Sequence, residues 1–144
     1  KKDRAEDALF ATRAAVESGI VPGGGCALLQ ASSTLDSSSP SLGEQIISRV
    51  CQLPATKILK NAGWDDFKIF STLQSILNQE EYFKGYSIYD LEVIDYKKKG
   101  ILDPTKVTIS ALRNAASIAG TILLTETVIA EEPKQDEQES FPMG

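Results

Sequence analysis

Residues 103–123 constrain the fold most, because they predict one long helix with a wide apolar surface. Asp103 followed by Pro104 is typical of a helix start, with a side-chain acceptor at the N-cap and proline at the first helical position. Apolar residues then recur at helical spacing on a broad stripe: Val107, Ala111, Leu112, Ala115, Ala116, Ile118, Ala119, Ile122 and Leu123. We expect a helix this apolar at the centre of its domain.

The remaining sequence predicts several more helices joined by turns. Helical spacing of small and apolar residues recurs in four segments: residues 1–18, 26–31, 44–63 with a break near Pro54, and 64–79. Gly19 is placed to end the first helix. The sequence Pro22-Gly23-Gly24-Gly25 then interrupts the pattern, because proline cannot continue a helix and glycines leave the backbone free of Cβ constraints.

Short strands are predicted in two places. Residues 86–94 have the pattern of a small β-hairpin, and residues 125–130 alternate with period two. A single strand needs a partner for its backbone groups, so we expect 125–130 to pair with a missing segment or another subunit, or to be disordered. Residues 36–43 predict a polar loop, and 131–144 a disordered tail. The predicted fold class is mainly α, with a small β-hairpin and a lone C-terminal strand.

Composition argues against several classes of function. The 144 residues can bury one modest core, and the absence of histidine removes Ser-His-Asp triads and most zinc chemistry. A net charge of −5 argues against a nucleic-acid-binding surface. No apolar run approaches the roughly 20 residues of a membrane span, so we expect neither nucleic acid nor membrane as a partner. Cys26 and Cys51 lack CxxC spacing, and no metal site is predicted.

Three features could carry chemistry, and each also has a purely structural interpretation. Asp7 could orient or activate a water molecule, or could be a solvated acid on the first helix. The Gly23-Gly24-Gly25 turn could let the backbone approach an anionic ligand, or could simply connect two helices. Asp103 could accept hydrogen bonds from ribose hydroxyls, or could be only a helix N-cap.

Two long blocks of sequence resemble the signature regions of group I chaperonins, the GroEL and mitochondrial type. The first contains Arg-Ala-Glu-Asp-Ala-Leu from residue 4 and Gly-Ile-Val-Pro-Gly-Gly-Gly from residue 19. The second contains Gly-Ile-Leu-Asp-Pro-Thr-Lys-Val-Thr from residue 100 and Ala-Ala-Ser-Ile-Ala from residue 115. The resemblance covers about residues 1–133. It implies that 1–130 are the carboxy-terminal part of an ATP-binding equatorial domain, without its amino-terminal half, hinge or apical domain.

The resemblance assigns roles to individual residues. Asp7 matches the family aspartate that orients the water attacking the γ-phosphate, which makes it the expected catalytic residue. Gly23 and Gly24 match glycines that lie against the ribose of the nucleotide. Asp103 matches the aspartate that binds the ribose hydroxyls, and Ile101 matches an apolar residue that packs on the base.

The hairpin after Gly85-Tyr86 is similar to the family's adenine-side loop, so Ser87, Ile88 and Tyr89 are further candidates for nucleotide binding. The family usually has Asn-Ala-Ala at these three positions. An amide therefore becomes a hydroxyl and two small residues become large, which predicts altered adenine contacts. The family's Gly-Asp-Gly-Thr-Thr-type loop, which holds the triphosphate and Mg²⁺, does not occur here. We expect the isolated chain neither to hydrolyse ATP nor to bind it tightly.

The resemblance also implies a biological setting. The parent would be an ATP-driven folding machine of the stress response, with ATP, Mg²⁺ and K⁺ as cofactors and a homo-oligomeric ring as its assembly. A co-chaperonin and unfolded polypeptides would bind through domains absent here. The expected compartment is the mitochondrial matrix, with plastid and bacterial cytoplasm as alternatives. Two other interpretations stay open: a divergent paralogue that serves as a scaffold with weak or lost ATPase, and a stand-alone helical interaction module.

Overall fold

The computed structural model describes residues 2–35 and 41–127, which form six helices and four short strands. In chain order the elements are α1 (Lys2–Ser18), β1 (Ile20–Pro22), α2 (Cys26–Ser33), α3 (Leu42–Asn61), α4 (Asp66–Leu77), β2 (Lys84–Ser87), β3 (Glu92–Asp95), α5 (Tyr96–Lys99), β4 (Leu102–Pro104) and α6 (Thr105–Leu124). The predicted mainly helical class is confirmed.

The core lies between α2, α3, α4 and the β2–β3 hairpin. Each of the three helices buries one stripe of apolar residues at helical spacing, which is the pattern that tertiary packing stabilises. In α4 these are Ile69, Leu73 and Ile76, all at most 6% exposed. The other buried members are Cys26, Leu29, Ala55, Leu59 and Tyr96.

The α3 helix begins with a capping box and continues past its proline. The Ser41 hydroxyl accepts from the Glu44 amide, while the Glu44 carboxylate accepts from the Ser41 amide. The predicted break near Pro54 is wrong, since α3 continues to Asn61. Proline removes one backbone donor, but Pro54 and Val50 lie on the exposed side, where water can satisfy the carbonyl left free.

The predicted hairpin is confirmed. Strands β2 and β3 pair antiparallel, with Lys84 opposite Asp95 and Ser87 opposite Glu92. The tip closes through a 2.9 Å hydrogen bond from the Leu91 amide to the Ser87 carbonyl. Leu91 itself has φ 58°, the left-handed conformation that side chains other than glycine rarely adopt.

A second antiparallel pair, β1 with β4, was not predicted. It sets Val21 opposite Asp103, and it corrects the prediction that Asp103 is the N-cap of the last helix. Asp103 is a strand residue, and Pro104 holds the N-cap position without a side-chain bond. The capping acceptor comes from α1 instead, where the Ser18 hydroxyl accepts from the Lys106 amide at 3.0 Å.

The position of α6 also differs from the prediction. None of its residues is buried in the part of the chain that the structure describes, so α6 is not central to this unit. It packs against α1 and β4 and leaves its other side open. The sequence-based expectation that no segment is long and apolar enough to cross a membrane is wrong, because α6 is. Length and composition are the whole of this finding, and the core helix of a soluble protein can have both.

The remaining predictions fall at the edges of the described chain. Residues 125–127 are not in a strand, and the rest of the predicted strand, 128–130, lies outside the described residues. The predicted tail, 131–144, also lies outside them. Of the predicted loop at 36–43, residues 36–40 are not described and the last two belong to α3.

Candidate functional site

The β1–β4 pair brings the glycine turn next to two other candidate residues. The Gly23 amide donates to the Ile101 carbonyl at 3.0 Å, and Asp103 follows two residues later in β4. A Cβ on Gly23 would lie 3.2 Å from the Ile101 backbone, and Gly24 has φ 62°. Glycine is therefore required here for both close approach and backbone conformation. The turn and β4 thus bring Gly23, Gly24, Ile101 and Asp103 into one region of the fold, in which Gly23 is buried and Ile101 and Asp103 are exposed.

Asp103 is the charged group on this surface. Its side chain is exposed, but the atoms around it remove enough water to raise the pKa of the carboxyl above its usual range. Its negative charge also helps to raise the pKa of the Cys26 thiol, for which burial is the larger cause. The carboxylate therefore lies near the buried end of α2 with its oxygens available to hydroxyl donors.

The three hairpin candidates point in different directions. The Ser87 hydroxyl, in a residue only 6% exposed, donates to the Asp90 carboxylate at 2.8 Å and accepts from the Asp90 amide at 3.0 Å. Ile88 is half-buried, whereas Tyr89 is 97% exposed. Because Ser87 is satisfied within the hairpin, its hydroxyl has no free donor for a ligand.

The hairpin meets the glycine turn at a small cavity of about 40 Å³, which Gly24, Cys26 and Ile88 help to line. A cavity of this size holds about one water molecule and no ligand ring. Its significance is structural, because it shows that the inner side of the hairpin packs against the turn.

Tyr96 is the residue that sequence reasoning missed. It is 5% exposed, and its hydroxyl donates to the Tyr86 carbonyl at 2.9 Å. A Cβ on Gly85 would overlap the Tyr96 ring, so Gly85 is there to admit the aromatic side chain. Burial raises the pKa of Tyr96 well above its usual range, so the hydroxyl stays protonated and remains a donor. The sequence carries no local signal for this contact, because Gly85 and Tyr96 meet only after the hairpin has formed.

Asp7 lies apart from these residues. It is exposed on α1, in an open groove of about 700 Å³ between α1 and α6 that Arg13, Lys106 and Ser110 also line. Asp7 precedes Ser18 by eleven residues, or about 16 Å along the helix axis. Ser18 is at the end of α1 that adjoins β4, so Asp7 lies away from the strand that carries Asp103.

Two features of this region bear on ligand binding. Gly24 carries no side chain, and the exposed Asp103 carboxylate lies in the neighbouring strand, a combination that suits a sugar with vicinal hydroxyls. Among residues 2–35 and 41–127 no three acidic or cysteine side chains come together as metal ligands do.

Comparison with known proteins identifies the family of the chain. The chain is similar in structure to a group III chaperonin whose crystal structure was solved in the open state, with a TM-score of 0.69 and 28% sequence identity. The match covers 81% of this chain and 25% of that one, so the chain spans about a quarter of the length of this relative. A model of the TCP-1/cpn60 chaperonin family matches residues 1–133. The chain belongs to the TCP-1/cpn60 chaperonin family.

Proposed function

We propose that this chain is the carboxy-terminal part of the equatorial domain of an ATP-dependent chaperonin of the group I type, and that it supplies the nucleoside side of the ATPase site. The observation that carries the proposal is the β1–β4 pair, which brings the segment of Gly23 and Gly24 next to the segment of Ile101 and Asp103. The family match over residues 1–133 supports it.

Each residue has a defined task in this proposal. The Asp103 carboxylate accepts hydrogen bonds from the two ribose hydroxyls, and Gly23 and Gly24 let the sugar approach the backbone. Ile101, which is 37% exposed, offers an apolar surface to the base. Asp7 orients the water that attacks the γ-phosphate. Mg²⁺, aided by K⁺, would supply charge neutralisation at the phosphates.

The phosphate and metal side of the site would come from another part of the full-length protein. The 144-residue chain alone therefore positions neither the triphosphate nor the metal, and we expect it to be inactive. In the full-length protein, nucleotide-driven changes would act through a homo-oligomeric ring, with the substrate polypeptide and co-chaperonin bound by other domains.

The test is ATP turnover by the full-length protein. We expect Asp7→Ala to lower kcat by about 100-fold or more while KM changes little, because this carboxylate acts on the water and does not hold the nucleoside. Asp3→Ala is the matched control, as another exposed acid on α1, and it should leave both constants unchanged. The isolated 144-residue chain should show no turnover. Equal activity of Asp7→Ala and the wild-type protein would contradict the proposal.

One observation favours a second candidate, a paralogue that keeps the scaffold but has weak or lost ATPase. The Ser87 hydroxyl is used by Asp90, and the bulky Ile88 occupies the inner side of the hairpin, so base recognition by the loop is reduced. The same experiment separates the two functions. Wild-type turnover no higher than that of Asp7→Ala, in a correctly assembled ring, would support the scaffold.

A further inference from the structure

Tyr96 stands at the junction of three segments that carry candidate nucleotide-binding residues. It is the first residue of α5, directly after β3, and only 5% of it is exposed. Its ring packs on Gly85 of the hairpin, and its hydroxyl lies 3.5 Å from where a Cβ on Gly24 would be. One side chain thus contacts both the adenine-side hairpin and the glycine turn.

Hydrogen bonds fix Tyr96 in this place through both its side chain and its backbone. The hydroxyl donates to the Tyr86 carbonyl at 2.9 Å, and the Cys26 thiol lies nearby in the same core cluster. The Tyr96 amide donates to the Phe83 carbonyl at 2.9 Å, and its own carbonyl accepts from the Ile101 amide at 2.9 Å. Ile101 in turn accepts from the Gly23 amide, so the chain of contacts reaches the turn by two routes.

We propose that Tyr96 is the positioning residue of the nucleoside subsite. It holds the hairpin against the glycine turn and so fixes the relative position of the two segments whose outer surfaces would contact the nucleoside. This inference rests on the proposed nucleotide-binding function and adds to it a residue that touches no ligand. Tyr96 is buried behind Gly24, which places it behind the surface that the nucleotide would contact.

A positioning role has a kinetic signature that a merely structural one lacks. Loosening the hairpin weakens binding of the nucleoside, but Asp7 lies far along α1 and its geometry is unaffected. KM should therefore rise while kcat stays nearly constant. A residue that only stabilises the fold would instead lower the fraction of active protein, which reduces the apparent kcat and leaves KM unchanged.

The experiment is steady-state ATPase and direct ATP binding by the full-length protein carrying Tyr96→Phe. This change removes the hydroxyl and its bonds while keeping the ring that packs on Gly85. We expect about a fivefold rise in KM and in Kd for ATP, the equivalent of one lost hydrogen bond, with kcat within about twofold of wild type. Tyr82→Phe is the matched control, since Tyr82 is half exposed and lies outside this junction; it should change neither constant.

Tryptophan fluorescence provides a second measurement, which reports on the packing of the hairpin in the absence of nucleotide. Trp64, the single tryptophan of the chain, lies edge-on to the Tyr86 ring with 5.4 Å between centroids. Releasing the Tyr86 carbonyl should shift the Trp64 emission of the 144-residue chain in Tyr96→Phe, and leave it unshifted in Tyr82→Phe.

The outcomes separate the two proposals. Wild-type protein that binds no ATP would overturn both the nucleotide-binding function and the role of Tyr96. Wild-type binding with unchanged KM and Kd in Tyr96→Phe would overturn the positioning role alone. A reduced kcat at constant KM in that variant, with loss of folded protein, would show that Tyr96 is structural only.

Discussion

At the scale of single residues, packing around the hairpin depends on the absence of one side chain. Gly85 is buried and lies flat against the ring of Tyr96, with no space for even a methyl group. Interiors packed to this density transmit any added volume to their neighbours. The Tyr96 ring packs against both the hairpin and the glycine turn, so moving it aside would disturb both segments.

We therefore expect Gly85→Ala to destabilise the chain by about 1–3 kcal/mol, the usual consequence of overpacking. Urea denaturation followed by circular dichroism measures it. Gly120→Ala is the control, because Gly120 lies within α6 and a Cβ there would meet nothing within 4 Å. That control should be neutral or stabilising by about 0.5–1 kcal/mol. Equal stability of Gly85→Ala and wild type would contradict the close packing.

At the scale of elements, the sequence predicts most helices and the hairpin correctly but misplaces the start of the last helix. Local signals sufficed for the hairpin and for the helical character of α3 and α4, because their apolar spacing matches the face that is buried. They failed at α6, since Asp103 pairs in a strand and the cap is provided by Ser18, 88 residues away in sequence. A cap contributed by another helix leaves no local pattern.

The α1–α6 contact should respond to removal of this cap. Ser18→Ala leaves the Lys106 amide without its acceptor, and we expect about 1 kcal/mol less protection in the first turn of α6. Hydrogen exchange at the amides of residues 106–108 measures the effect. Ser33→Ala is the control, because the Ser33 hydroxyl bonds only within its own helix. Unchanged exchange at Lys106 would refute the capping role.

At the scale of the whole molecule, the described chain has a well-packed half and an open half. The core between α2, α3, α4 and the hairpin buries its apolar residues, whereas α6 exposes side chains such as Ile118, Ile122 and Leu123. The apolar stripe predicts a buried helix, whereas the structure shows it exposed. Composition indicates what kind of surface a helix can pack against and not what surrounds it, so this exposure could not be predicted.

We expect the purified 144-residue chain to self-associate through this open face, since contiguous apolar surface of this kind is rarely left in water. Sedimentation velocity should show species larger than a monomer. Ile118→Lys combined with Ile122→Lys should restore the monomer, whereas Phe67→Lys, at an exposed position of α4, should not. A wild-type chain that stays monomeric at high concentration would contradict the expectation.

The β1–β4 pair also has a consequence for the order of folding. Its partners Pro22 and Leu102 are eighty residues apart in the chain, while the helices and hairpin between them make contacts nearer in sequence. Closing so long a loop is entropically unfavourable until the intervening segment is compact. The core should form early, and the surface that joins Gly23 to Asp103 should form late and open first. Under the proposed function, the nucleotide would stabilise this last-formed contact more than the rest of the fold.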